Sequence, residues 1–350
     1  MPEEYKNKLV EASQILNRSS RDLANKEAFK QNIKKAEDLI FEVRDQKLFS
    51  NDVKELLSQI SLLKKQLNGI ETYSLSSHPE MFNFGAGTFE PIELFENAQK
   101  LYFVGKNGLY GPYVQGTTPK KESFPDGEEA VSADISPEGV IYILTKSNRV
   151  IKYSKGSFAY VNVEGQSTWE PSSKIRTFIG NIYLLSADGT QIYKHRPSVN
   201  GFTGKSPVID GGIKGNTLLD FALDGGFYVI KNDLAFEKVF TTPSFSRKGL
   251  LLNKLPDNYS NSDGGGIPKI TTSSSANYLY LILSNKVWIF EPDSKNIKDV
   301  RGLKYVGQIE ISDRKVYSVI VPKDGEILAL TDTGVSSIKF EVSDGKINIH

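Results

Sequence analysis

The sequence contains no cysteine and very little histidine. The absence of Cys from all 350 residues excludes disulfides, thiolate metal sites and a cysteine nucleophile. The three His residues, His78, His195 and His350, are widely separated along the chain. Such spacing favours neither a His-based metal site nor a Ser-His-Asp arrangement. The sequence therefore predicts no catalytic residue, no metal ligand and no cofactor.

Long hydrophobic runs and an excess of one charge are also missing. No stretch approaches about 18 consecutive apolar residues, the length that a membrane-spanning helix needs. The start, Met1-Pro2-Glu3-Glu4, is acidic and polar, unlike a signal peptide. The chain carries 43 Lys plus Arg against 42 Asp plus Glu, a formal net charge of +1. This balance provides no overall field to attract nucleic acid, so we do not expect nucleic acid as a partner.

Residues 1–70 carry apolar side chains at helical spacing. They form three stripes, which contain Tyr5, Leu9, Ala12, Ile15 and Leu16; Ala28, Phe29, Ile33, Ala36, Leu39, Ile40 and Val43; and Val53, Leu56, Ile60, Leu63 and Leu67. Asn25 is a suitable N-cap for the second helix, and Gly69 ends the third. The pattern predicts an α-helical hairpin or three-helix segment over residues 1–70. It would serve as a stalk or docking segment, with self-association if one stripe stays exposed.

Residues 71–350 change to short apolar runs separated by turn residues. One apolar motif recurs six times, as Leu101–Val104, Ile141–Leu144, Ile182–Leu185, Phe227–Ile230, Leu279–Ile282 and Ile327–Leu330. The intervals between the middles of successive motifs are 40, 40, 45, 53 and 48 residues. Periods of this size, with several strands in each unit, are typical of propeller blades. The predicted fold class is mainly β, a six-bladed β-propeller over residues 71–350.

The turns and the two ends of this region complete the prediction. Tight turns such as Asn107-Gly108 and Asp188-Gly189 follow the recurring motifs. A closed ring needs a last strand, because an open sheet leaves unpaired edges. Segment 88–95 could start the first blade, and segment 346–349 could be an outer strand of the last blade. Alternatively, segment 73–75 pairs with the last blade and locks the ring.

The segment Val131–Ser154, VSADISPEGVIYILTKSNRVIKYS, resembles a repeat of the NHL class of bacterial and animal propellers. The six-blade layout also resembles the TolB and gluconolactonase-like propellers. A charged helical hairpin before such a propeller resembles extracytoplasmic modules of some bacterial membrane-anchored signalling proteins. That resemblance favours an extracytoplasmic location over a cytoplasmic one. It implies architecture more than activity, since propellers carry many unrelated functions.

Four residues are candidates for ligand binding. Trp169 lies in a predicted loop, where its ring could stack on a sugar, a peptide or a base. Arg176 and Arg247 could point toward a face of the ring. Tyr259 lies in the longest irregular insertion, residues 255–263, and long loops in compact domains are often functional. For each of them, packing over its own blade or exposure to solvent is the alternative.

The resulting hypothesis is a non-enzymatic recognition or scaffold module that binds a protein, a peptide or a glycan through propeller loops. The rival is a hydrolase or lyase with its site at the central channel, which requires carboxylates, His or Arg that converge there. The nearest match to a sialidase box, Ser186–Thr190, has its Gly one position early, and Trp-Asp repeat endings are absent. A third possibility, RNA binding, requires a basic and aromatic face on one side of the ring.

Overall fold

The computed structural model describes residues 2–21, 25–74, 80–84, 90–97, 100–113, 119–165, 170–241, 244–256, 259, 266–272, 277–296, 299–312, 314–343 and 346–350. The chain divides into two compact units, Met1–Glu71 and Thr72–His350. The first unit is helical, and the second is built almost entirely from strands.

The first unit contains three helices: α1 Pro2–Ser19, α2 Lys26–Asp45 and α3 Ser50–Leu67. The side-chain oxygen of Asn25 accepts a hydrogen bond from the Ala28 N–H at 3.2 Å, as an N-cap should. Most of the predicted stripe residues are buried in one cluster, so packing between the helices covers most of their apolar area. Among the described residues, no helix is both long enough and apolar enough to span a membrane.

The strands begin with β1 Ile70–Tyr73, which spans the boundary between the two units, and β2 Phe82–Asn83. The strands of the first blade follow as β3 Pro91–Asn97, β4 Lys100–Gly105, β5 Gly108–Tyr113 and β6 Lys121–Ser123. A 3₁₀ turn at Pro125–Gly127 leads to the second blade, β7 Ala130–Ile135, β8 Ile141–Thr145, β9 Val150–Ser154 and β10 Ser157–Tyr160. The third blade consists of β11 Ser172–Phe178, β12 Asn181–Ser186, β13 Ile192–His195 and β16 Ser206–Pro207, with a side hairpin of β14 Pro197–Ser198 and β15 Gly201–Phe202.

The fourth blade consists of β17 Leu218–Leu223, β18 Phe227–Lys231, β19 Phe236–Phe240 and β20 Ser246–Gly249. Strand β21, Leu251–Asn253, runs parallel to the outer strand of the fifth blade, which is β22 Lys269–Thr272, β23 Leu279–Leu283, β24 Lys286–Pro292 and β25 Gly302–Ile311. The sixth blade is formed by β26 Val316–Lys323, β27 Glu326–Thr331 and β28 Gly334–Ser343, with β29 Lys346–Ile349 and β2 beside β28.

The six-bladed propeller preceded by three helices is therefore confirmed. Each recurring apolar motif lies in the second strand of its blade, and its side chains are mostly buried on both faces. Neighbouring blades share apolar clusters, because a single four-stranded sheet cannot cover both of its own faces.

Closure of the ring differs from one prediction. Pairing of segment 73–75 with the last blade was one alternative, but the Tyr73 carbonyl accepts a hydrogen bond from the Ser312 N–H, at the end of the fifth blade, at 3.0 Å. Leu75 lies outside the described residues. Phe82 of β2 instead pairs with Val335 in the sixth blade. A Cβ atom at Gly334 would collide with the Phe82 carbonyl oxygen, so this pairing requires glycine. The predicted outer strand 346–349 is present as β29.

Candidate binding site at the propeller axis

Six side chains occupy the same position on the innermost strands of the six blades. Each pairs with the last residue of the recurring apolar motif in its blade, from Val104 in the first blade to Leu330 in the sixth. The six are Glu93, Ser132, Lys174, Asp220, Lys269 and Ser318. We call this set the axial ring. In five blades a β-bulge lies directly before the axial-ring residue, and a bulge re-aims the side chain that follows it.

The axial ring alternates between short acceptors and long charged side chains. In the second, fourth and sixth blades, Ser132, Asp220 and Ser318 each accept a hydrogen bond from a backbone N–H of the next blade around the ring, at 3.0 to 3.3 Å. These bonds join inner strands that have no sheet partner on the axial side. The alternate blades contribute the long residues Glu93, Lys174 and Lys269.

Glu93 and Lys269 form an ion pair across the axis. The Lys269 Nζ lies 3.1 Å from the Glu93 Oε2 and also donates to the Ile92 carbonyl at 2.6 Å. The Ser318 hydroxyl donates to the Glu93 Oε1 at 2.7 Å. Burial would raise the pKa of Glu93, but Lys269 and Arg176 outweigh that effect, so its pKa is lowered. Glu93 is therefore an ionised, fully engaged carboxylate.

Lys174 differs from the other axial cations. It is only 9% exposed, and its ammonium group makes no hydrogen bond or ion pair within the part of the chain that the structure describes. Burial lowers the pKa of Lys174 to about 8. The nearby cations Lys269 and Arg176 also lower it, whereas the Asp220 carboxylate raises it. A buried lysine without a partner is unusual and costs stability while it is charged.

Arg176 lies two residues beyond Lys174 on β11 and binds the fourth blade. Its Nη2 donates to both carboxylate oxygens of Asp220 at 3.1 Å, and its Nε donates to the Phe221 carbonyl at 3.3 Å. Asp220 is fully buried. Burial alone would lower the pKa of Arg176, but Asp220 and Glu93 raise it. The guanidinium is therefore charged and held in place.

Asp134 is the third carboxylate at the axis. Its Oδ2 accepts hydrogen bonds from the Thr177 N–H at 2.6 Å and from the Thr177 hydroxyl at 3.0 Å. Burial raises the pKa of Asp134 to about 6, although Arg176 and the hydrogen bonds oppose this rise. No cation lies within ion-pair distance of Asp134 among the described residues.

Glu93, Asp134, Arg176 and Lys269 form the floor of a cavity of about 350 Å³ on the propeller axis. The cavity extends toward the carboxyl ends of the inner strands. Its polar lining includes Glu93, Glu96, Asp134, Arg176, Thr177, Lys269, Thr271 and Thr272. Its apolar lining includes Ile135, Ala222, Leu223, Val319, Ile320, Val321 and Pro322. An apolar wall with a few fixed polar groups is the usual composition of a ligand site, and this volume lies at the low end of the range for such sites.

A strained and exposed side chain stands on the same face. Ile179 is 73% exposed in the turn between β11 and β12, directly after the cavity residues Arg176 and Thr177. Its φ of +48° is left-handed, a conformation that β-branched residues rarely adopt. Such outliers persist mainly where function retains them. Ile179 is therefore a candidate contact residue that the sequence alone did not indicate.

The three predicted site residues that the structure describes lie in three different settings. Arg176 lies in the axial cavity. Arg247 lies on the outer strand β20 and pairs with Glu237 at 2.8 Å. Tyr259 donates a hydrogen bond to the Leu234 carbonyl at 2.8 Å and packs edge-to-face on Trp288, which makes it part of the core. Trp169 lies outside the described residues.

Five charged residues at the axis were not predicted as site residues from the sequence: Glu93, Asp134, Lys174, Asp220 and Lys269. Their common feature is a polar residue 10 to 13 positions before the end of each apolar motif. The sequence alone does not reveal this shared position, because the residue type at it changes from blade to blade. His195 is only 1% exposed, with its Nδ1 2.9 Å from the Thr203 carbonyl oxygen.

The axial carboxylates also bear on the rival hypothesis of an enzyme. Glu93, Asp134 and Asp220 do converge on the channel, which is part of what a channel hydrolase or lyase requires. Two of the three are ion-paired within the protein. Among the described residues, no group of three or more His, Asp and Glu side chains could hold a metal ion.

The comparisons with known proteins support the fold. No protein-family model matches the chain, and a search of curated proteins found no match. The extracellular domain of a hybrid two-component system from B. thetaiotaomicron aligns at a TM-score of 0.51 and 12% identity, over 77% of this chain and 35% of that one. The Cps50 (Swd1) propeller domain of Myceliophteria thermophila aligns at 0.50 and 9%, over 78% and 89%. A structure of YCF48 bound to a D1 peptide aligns at 0.45 and 10%, over 78% and 82%. At such low identities the likeness shows a β-propeller fold alone.

Proposed function

We propose that this protein is a non-enzymatic recognition module that binds a protein or peptide partner at the face around the axial cavity. One observation carries the proposal: a cavity with a charged floor opens within an apolar rim. The strongest charges of the floor are neutralised inside the protein, Arg176 by Asp220 and Lys269 by Glu93. They form a rigid base and leave the rim and the remaining polar groups to contact a partner.

The rim supports a protein or peptide in preference to a glycan. Half-buried Ile135, Leu223 and Val321 line the cavity together with the exposed Pro322, and Ile179 projects from the same face. Partner surfaces made of apolar side chains lose water when they pack on such a rim. Among the described residues the cavity lining has no aromatic side chain except the buried Phe95, so it lacks an exposed ring for a sugar to stack on.

A peptide-display selection on the intact chain tests the proposal. The affinity of the enriched peptides is measured for the wild type and for two variants. Thr271→Trp fills the cavity, and Ile179→Asp adds a charge to the rim. Val199→Asp is the matched control, because Val199 is fully exposed in the β14–β15 turn. We expect at least tenfold weaker binding to the first two variants and unchanged binding to the control. Equal binding to all three, with unfolding midpoints near that of the wild type, would contradict the proposal.

A second candidate function is a hydrolase or lyase at the same channel. The observation that favours it is Asp134, a carboxylate that faces the cavity with a pKa raised by burial to about 6, near the range that suits a general acid or base. Screening of ester, glycoside and uronate substrates with the wild type and Asp134→Asn tests it. Turnover that Asp134→Asn abolishes would favour the enzyme over the recognition module.

We also propose that residues 1–70 act as a stalk or docking segment, and that the blades belong to the NHL or TolB-like class. Val131–Ser154 carries the second interpretation. The stalk or docking role is supported by the compactness of the helical unit, because its apolar residues form their own core. Deletion of residues 1–69 should abolish capture of a docking partner if this role is correct, while peptide binding at the axial cavity should persist.

A further inference from the structure

The charges that line the axial cavity do not balance once the internal pairs are removed. Five charged side chains line it: Glu93, Glu96, Asp134, Arg176 and Lys269. Lys269 is paired with Glu93, and Arg176 is paired with Asp220 beneath the cavity. Asp134 and the exposed Glu96 have no cation within 4 Å among the described residues. The charge left for a partner to neutralise is therefore negative.

The neighbours of Asp134 fix where that charge lies. The strands packed against β7 contribute Glu93 and Glu96 from β3, and Lys174 and Arg176 from β11. Two hydrogen bonds from Thr177 hold the Oδ2 atom. The carboxylate is thus oriented by the protein. Arg176 attracts it from beyond ion-pair distance but is itself paired with Asp220.

The cavity wall above Asp134 is apolar and suits a methylene chain. Its side chains come from three different blades and include Ile135, Leu223, Ile320, Val321 and Pro322. Long basic side chains place an apolar stem against such a wall and a charged end on a polar group beyond it. A volume of about 350 Å³ has room for one such side chain together with a few waters, at about 30 Å³ each.

Building on the recognition role proposed above, we propose that the partner inserts a basic side chain into the axial cavity. The stem packs against the apolar wall, and the cationic end pairs with Asp134, with Glu96 adding attraction at the entrance. A carboxylate that is half-buried and unpaired before binding gains most from such a partner, because the pair forms in a partly desolvated site.

The inference predicts a pH dependence. Burial raises the pKa of Asp134 to about 6, and Arg176 moderates that rise. The carboxylate is mainly ionised at pH 7 and becomes neutral as the pH falls through about 6. A bound cation lowers this pKa, so affinity should be constant above about pH 7 and should fall steadily below pH 6.

Saturation-transfer NMR with small probes tests the inference on the intact chain. The probes are n-butylammonium and n-butylguanidinium, with n-butanol and butyrate as the uncharged and anionic controls. We expect both cations to bind more tightly than butanol, and butyrate to bind least. The two cationic arms distinguish a lysine from an arginine as the inserted residue.

Three variants complete the test. Asp134→Asn keeps an oxygen acceptor for Thr177 and should weaken cation binding about tenfold, which is about 1.4 kcal/mol. Glu96→Gln should weaken it two- to threefold. Asp210→Asn removes an exposed carboxylate from a turn between the third and fourth blades and should have no effect.

The outcomes separate this inference from the recognition role. Preferential binding of butyrate or butanol, or cation binding that Asp134→Asn leaves unchanged, overturns the inference. The recognition role stands in that case if display-selected peptides still lose affinity for Thr271→Trp. Failure of the peptides to depend on the cavity overturns both.

Discussion

Two buried lysines show how differently this propeller treats charge at its axis and within a blade. Lys238 on β19 and Lys174 on β11 are both almost inaccessible, at 0% and 9% exposure, and burial lowers the pKa of each to about 8. Lys238 lies against the Asp224 carboxylate, with its Nζ 3.2 Å from the centre of the Tyr228 ring. Lys174 has no such partner among the described residues.

The difference shows that burial alone does not identify a site. The pair of Lys238 and Asp224 is closed, with side-chain exposures of 0% and 4%, so it has no surface to offer a ligand. It ties the β17–β18 turn to β19. The axial charges lie next to a cavity and are only partly neutralised by one another. A ligand can therefore change the electrostatic state of the axis, but it cannot reach the fourth-blade pair.

Lys238→Met should give the largest effect of the substitutions considered. It leaves the Asp224 carboxylate buried without a cation, and breaking one side of a buried pair costs about 3–5 kcal/mol. Urea unfolding followed by fluorescence measures the loss. The double variant Asp224→Asn with Lys238→Met removes both charges and should recover most of it. Loss of less than about 1 kcal/mol in the single variant would contradict the structural role.

Arg176→Gln should cost less, about 2–4 kcal/mol, although it also leaves a fully buried carboxylate, Asp220, without its cation. The cost is smaller because the cavity lets water reach the site, and because Asp220 keeps a hydrogen bond from the Ile270 N–H at 3.0 Å. The same unfolding experiment measures it. Arg196→Gln, at an exposed arginine, is the control and should change stability by less than about 0.5 kcal/mol. If Arg176→Gln lowers the free energy of unfolding as much as Lys238→Met does, the proposed difference between the axial charges and the pair within the fourth blade would be wrong.

These two sites also show what the sequence could and could not predict. The six central strands were predictable because an apolar run between turn residues is a local pattern. The axial ring was not, because its members lie in different repeats and meet only after the ring closes. A repeat motif normally repeats its residue type, whereas here Glu93, Ser132 and Lys174 share only a register. Ion pairs such as Lys269 with Glu93 join positions 176 residues apart.

Lys174→Met should stabilise the protein by about 1–2 kcal/mol, the opposite sign to Lys238→Met. An apolar side chain of similar length removes the cost of a buried, unpaired ammonium. The pKa of Lys174 falls from 10.5 to about 8 on folding, so the unfolded chain binds more protons between these values. The contribution of Lys174 to the free energy of unfolding of the wild type therefore rises with pH between about 8 and 10.5. The gain in the free energy of unfolding that Lys174→Met gives over the wild type should be largest below pH 8 and should disappear near pH 10.5.

Unfolding curves at pH 7 and pH 10 measure that difference, and other titrating groups cancel between the two proteins. Lys152→Met on β9 is the control, because Lys152 is exposed and lies outside the axial ring, so its replacement should change stability little at either pH. A destabilised Lys174→Met variant would show that the axial ammonium is stabilised in the folded protein, and the contrast between the two lysines would fail.

Ile179→Asn should give the smallest change, a gain of about 1 kcal/mol, because a left-handed conformation costs an ordinary residue about 1–2 kcal/mol and costs Asn less. Ile179 and Gly180 both have positive φ, +48° and +72°, in a two-residue hairpin turn, where Asn-Gly is the preferred pair. Val199→Asn is the matched control, since Val199 is exposed without a positive φ and should change little. Thermal unfolding measures both. If Ile179 is kept for contact with a partner, the stabilised variant should bind display-selected peptides several-fold more weakly. A gain in stability without loss of binding would remove Ile179 from the binding face and leave the axial cavity as its centre.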